Sequence, residues 1–165
     1  MYMPGLAIPE EGKPPGVVLN KGARALRCTL YSPVVDRQAI EVIRDIRPKW
    51  NLQLEGEPEK WSSAHFASEQ GLFVLNSMEF TAPLDAFSRI LLGTTGYFMN
   101  RGDIPEDTKK DIIRFVGSTR WLVGIVGTAE GQDLSEKVFL GAAMDLTRRL
   151  GGRLFNGTEL IIPTL

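Results

Sequence analysis

The chain holds one histidine, His65, within "WSSAHFASEQ" (61–70), with Ser62, Ser63 and Ser68 close by and Glu69 four residues on. Serine, imidazole and carboxylate are the parts of a nucleophilic hydrolase or transferase, in which the imidazole takes the hydroxyl proton and the acid orients its other nitrogen. Read as a strand, the segment puts Ser63 and His65 on one face, ~6–7 Å apart along the backbone. Read as a helix, it makes His65 and Glu69 an (i, i+4) pair. Neither reading sets a serine on the strained strand-to-helix elbow of the hydrolases, and no G-x-S-x-G occurs. An enzyme here would rest on His65, Ser63 and Glu69, with Cys28 as a second nucleophile. The plainer reading is a strand that carries a histidine.

Other candidate chemistry is sparse. With one His and one Cys, a His/Cys metal site is not expected. Asp103, Glu106, Asp107 and Asp111 could hold a hard cation, but they also suit the acidic first turn of a helix. "VGIVGTAEGQD" has the strand-glycine-helix outline of an anion loop, yet it lacks G-x-G-x-x-G spacing and carries Glu130 and Asp133 where phosphate would sit. "RGD" (101–103) reads as a turn into a helix cap, and "NGT" (156–158) as hairpin chemistry. No cofactor or metal is expected. The stretch 93–101 is different in kind, since Tyr97, Phe98, Met99 and Arg101 are residue types that concentrate at protein interfaces. Placed on a loop they are partner-binding candidates, and the alternative is that Phe98 plugs the core.

These residues must be held by elements that the pattern predicts. "MYMPGLAIPEEGKPPG" (1–16) holds four prolines and reads as an extended arm. "ARALRCTLY" (23–31) is a first strand, and Asp36 caps a helix that ends before Pro48. "WNLQLEG" (50–56) alternates strictly, and "WSSAHFA" and "LFVLNSMEF" follow it after short turns, so the three form an antiparallel meander. Thr81 caps a helix that ends at Gly93, and 93–103 is a loop. A third helix runs from Asp103 to Gly117, and "RWLVGIVG" (120–127) is a buried strand. "DLSE" (133–136) opens the last helix, which stops at Gly151, and "RLFNGTELII" is a hairpin.

The expected order is therefore β-α-β-β-β-α-α-β-α-β-β. It implies an α+β fold, with a mainly antiparallel sheet and helices packed on one face as a two-layer sandwich. The arm (1–16) precedes a single domain over 17–165.

Charge excludes some partners. The net charge of −1 gives no footprint for nucleic acid, although residues 1–50 carry eight basic against five acidic groups and 51–111 five against ten. No apolar run is long enough for a membrane span, and the start of the chain has no signal-peptide pattern. One cysteine allows no internal disulfide, so a reducing, cytoplasmic setting is expected. The leading functional expectation is a non-catalytic protein-binding domain such as an immunity or accessory protein, bound to another protein or to its own copies. The alternatives are a small enzyme centred on His65 and a self-assembling structural protein.

Overall fold

The computed structural model describes residues 24–68, 71–80, 86–129 and 136–163. The proline-rich arm, Glu69, the Thr81 cap and the loop with Glu130 and Asp133 lie outside them, as does the start of the expected domain at 17.

The strands are β1 (Arg24–Ser32), β2 (Asn51–Glu55), β3 (Ser63–Ser68), β4 (Gly71–Glu79), β5 (Trp121–Ala129), β6 (Arg153–Phe155) and β7 (Leu160–Ile161). Between them come a 3-10 turn (Arg37–Ile40) leading into α1 (Glu41–Ile46), then α2 (Ala86–Met99), α3 (Glu106–Gly117) and α4 (Glu136–Leu150). Chain order is as the pattern predicts. The seven strands form one sheet in the order β2-β3-β4-β5-β1-β6-β7. Every pair is antiparallel, so the fold is α+β with an antiparallel sheet. β2, β3 and β4 are the expected meander.

The helices are not confined to one face. Leu30 of β1, Val123 of β5 and Leu154 of β6 belong to a core that α1 and α4 close with Ile43, Phe139, Ala143 and Leu146. Their chain neighbours Tyr31, Leu122 and Phe155 belong to a second core, closed by α2 and α3 with Phe87, Phe98, Ile112 and Val116. Strands that are apolar at both parities need cover on both sides. β2 alternates instead, with Leu52 and Leu54 half-buried against the first core and Asn51, Gln53 and Glu55 exposed. The two-layer expectation therefore fits the meander end, and the centre of the sheet is covered twice.

Local signals explain several boundaries. The Asp36 side chain accepts from the Gln38 amide at 3.1 Å. Gly151, at φ +65°, follows α4 in the left-handed conformation that ends helices. In the hairpin, the Asn156 Oδ1 accepts from the amides of Thr158 (3.0 Å) and Glu159 (2.9 Å).

The end of α2 differs from the expectation. Gly93 does not stop α2, which continues to Met99. Its buried positions, Phe87, Ile90, Thr94 and Phe98, keep helical spacing straight through the glycines. Two interior glycines cost about 2 kcal/mol together, whereas burying a phenylalanine contributes roughly 2–3 kcal/mol. The Thr94 hydroxyl adds a bond to the Ile90 carbonyl at 2.9 Å and receives the buried Tyr31 hydroxyl. Packing outweighs local propensity here.

Candidate functional site

The meander sets His65 on the polar face of β3. Ala64 and Phe66 point into the first core, so Ser63 and His65 point the other way. The register pairs Ser63 with Glu55 and Asn76, and His65 with Gln53 and Val74. The Ser63 hydroxyl donates to Asn76 Oδ1 at 2.9 Å. The His65 Nε2 lies 3.5 Å from the Glu55 Oε1, on the diagonal across the β2–β3 pair. The carboxylate beside the imidazole is thus Glu55, a residue that sequence spacing along one segment could not single out. Alternation in both strands of the meander was the signal that could have found it.

Cys28 lies in the first core at 1% exposure, and burial pushes its thiol well above the ordinary range. A thiol held protonated and enclosed does not attack. The first core also holds an aromatic knot that sequence reasoning missed. Arg37 lies 5.7 Å from the centroids of both Trp61 and Trp121 and donates to the Trp61 carbonyl at 2.8 Å and to Ser77 Oγ at 3.0 Å.

The four interface candidates separate on the structure. Phe98 is buried and meets the Phe155 ring at 5.7 Å, so it plugs the second core. Tyr97 is half-buried between Phe98 and Phe155, at 5.1 and 5.8 Å. Met99 is exposed. Arg101 reaches across to the hairpin: its Nη1 donates to the Thr158 carbonyl, and its Nε and Nη2 hold Asp103 in a fork, the Nε bond measuring 2.9 Å. That hydrogen-bonded fork holds the Asp103 carboxyl below its ordinary range. Asp103 consequently serves Arg101 and does not cap α3, whose N-cap is Pro105.

Around Arg101 the α2–α3 turn and the start of β7 enclose a cleft of about 310 Å³. Its apolar wall is Phe98, Ile104, Pro105, Ile112 and Leu160, and its polar rim is Arg101, Asp103, Thr108 and Glu159. Lys109 ties the two helices together by donating to the Met99 carbonyl at 3.1 Å, at the negative end of α2. The cleft joins two segments far apart in the chain, 98–112 and 159–160, so Ile104, Thr108, Glu159 and Leu160 carried no signal in the sequence.

Three of the four carboxylates considered as cation ligands are paired with basic side chains, Asp107 being the fourth. Asp103 pairs with Arg101, Glu106 with Lys109 at 3.7 Å, and Asp111 with Arg153 at 2.9 Å. Among the described residues no group of three His, Cys, Asp or Glu side chains is placed to hold a metal ion, and no helix is long and apolar enough to cross a membrane. The chain matches no protein-family model, and no curated protein or solved structure matches it.

Proposed function

We propose that this chain is a non-catalytic protein-binding domain of the cytoplasm, and that its working surface is the end of the molecule where the α2–α3 turn meets β7. The observation that carries this reading is the cleft: an apolar wall with a charged rim, beside the exposed Met99. An apolar pocket rimmed by polar groups is what receives an anchoring side chain of a partner. Arg101 and Asp103 brace the rim through the hairpin, so it is preformed and loses little entropy on binding. The buried, protonated Cys28 fits a reducing compartment.

The test uses Thr108, an exposed residue of the rim. Thr108→Arg fills the cleft without entering the core. A partner captured from the native host by the wild-type protein should lose at least tenfold in affinity for T108R. Equal affinity for the two proteins would refute the surface.

A second reading has one observation behind it. The Glu55 carboxylate beside His65 is the orienting arrangement that a catalytic imidazole uses. Against it, the Ser63 hydroxyl is directed to Asn76. A hydrolytic activity lost in both His65→Ala and Glu55→Gln would revive it.

A further inference from the structure

We infer that the cleft beside Arg101 takes an arginine side chain of a partner protein, its aliphatic stem on the apolar wall and its guanidinium against Glu159. This rests on the reading of the cleft as a partner surface and names what that surface recognises.

Charge sets the sign of the occupant. Arg101, Asp103 and Glu159 are the ionised groups of the lining. Arg101 and Asp103 cancel, since the guanidinium holds that carboxylate in a fork and gives a further donor to the Thr158 carbonyl. Glu159 is exposed, and among the described residues its carboxylate has no cation and no hydrogen-bond donor. The cations nearby are engaged elsewhere: Lys109 holds the Met99 carbonyl and Glu106, and Arg153 holds Asp111. Lys110 and Arg114 stand two positions after the lining residues Thr108 and Ile112, a spacing that turns them to another side of α3. The lining thus presents one uncompensated negative charge at the lip of an apolar wall.

The backbone under that carboxylate is set before binding. The Glu159 amide donates to Asn156 Oδ1 at 2.9 Å, and its carbonyl accepts from the Asn156 amide at 3.2 Å. Leu160, next in the chain, pairs with Phe155 and is buried. Such a lip is matched by a side chain that is apolar along its length and cationic at its tip. Arginine suits it better than lysine. Its guanidinium is more weakly hydrated, so leaving water costs less, and its planar fork offers a carboxylate two parallel bonds. A leucine or phenylalanine anchor would cover the wall and leave Glu159 unmatched, and a glutamate would be repelled.

The probes are acetylated pentapeptide amides with arginine, citrulline, leucine or glutamate flanked on each side by two glycines. Citrulline keeps the shape of arginine without its charge. Each is titrated into the isotope-labelled full chain and followed by amide chemical shifts. The arginine peptide should move the signals of Ile104, Thr108 and Leu160 and saturate in the millimolar range. The citrulline peptide should bind about fivefold more weakly, the upper end for an ion pair at a surface, and added salt should narrow that gap. Glu159→Gln should abolish the preference for arginine over citrulline. Signals away from the cleft, unchanged in E159Q, would show that the fold is intact. A leucine peptide that binds as tightly as the arginine one, a preference that survives in E159Q, or no movement at the cleft with arginine would overturn the inference. The partner surface itself is judged by the affinity of T108R, so a cleft that uses another anchor is told apart from one that binds no partner.

Discussion

Arg37→Met measures how the first core tolerates a guanidinium. The side chain is 12% exposed and its two strongest bonds go to the Trp61 carbonyl (2.8 Å) and Ser77 Oγ (3.0 Å). Hydrogen bonds from a charged donor contribute about 1.5 kcal/mol each at the low end. The guanidinium also lies against two fully buried tryptophans, each 5.7 Å from the ring centroid, which adds about 0.5–1 kcal/mol. Methionine keeps most of the volume and none of these bonds, so R37M should lose about 3–4 kcal/mol. The ion pair to Glu79 is a separate matter. At 3.3 Å it is short, but the Glu79 side chain is 43% exposed. Solvent screening leaves such a pair about 0.5 kcal/mol, which is the expected loss in Glu79→Gln. Urea denaturation followed by tryptophan fluorescence reads both, with an unchanged slope showing that the unfolded state is the same. If R37M costs less than about 1 kcal/mol, or E79Q as much as R37M, the bonds to the Trp61 carbonyl and Ser77 are not what holds the knot.

Two glycines should respond in opposite directions. A Cβ on Gly152 would lie 2.4 Å from the Tyr31 carbonyl oxygen, so Gly152→Ala should lower stability by about 2–3 kcal/mol. Gly96, inside α2 with open space around it, should gain about 0.5–1 kcal/mol as alanine. Thermal denaturation of the two variants checks the signs. For the cleft rim, folding lowers the Asp103 carboxyl through its bonds to Arg101. A depressed carboxyl contributes stability above its unfolded value, about 3.9, and loses it as pH falls through the lower folded value. Asp103→Asn should therefore flatten the acid limb of the stability profile and leave its neutral limb parallel to the wild type.

Most of the architecture was legible because it rests on short-range periodicity. Alternation in "WNLQLEG" and near-continuous apolarity in "RWLVGIVG" reflect how each strand is covered, one face for β2 and two for β5. β1 and β6 held the clue to the second helical layer. Leu30 beside Tyr31 and Leu154 beside Phe155 are apolar at both parities, and such strands cannot be left bare on either side.

The candidate sites were less legible, since each depends on residues that only folding brings together. Residue type did single out Tyr97, Phe98, Met99 and Arg101, but whether an aromatic residue is exposed depends on what lies opposite. Phe155, Tyr31 and Thr94 decided that for the end of α2, and with it the failure of Gly93 to stop the helix. His65 acquired Glu55 from the neighbouring strand, and Arg101 acquired Thr158 from a hairpin fifty-seven positions on.

By itself the sequence determined the element types, their order, the antiparallel meander and the presence of a single buried-type cysteine. Those follow from chain-local sterics and from the period at which apolar side chains recur. Tertiary structure alone decided which faces are covered twice, where α2 ends, which carboxylate stands beside His65 and where a cleft opens. These depend on contacts between distant residues, where packing energies of a few kcal/mol exceed the local preferences that periodicity records.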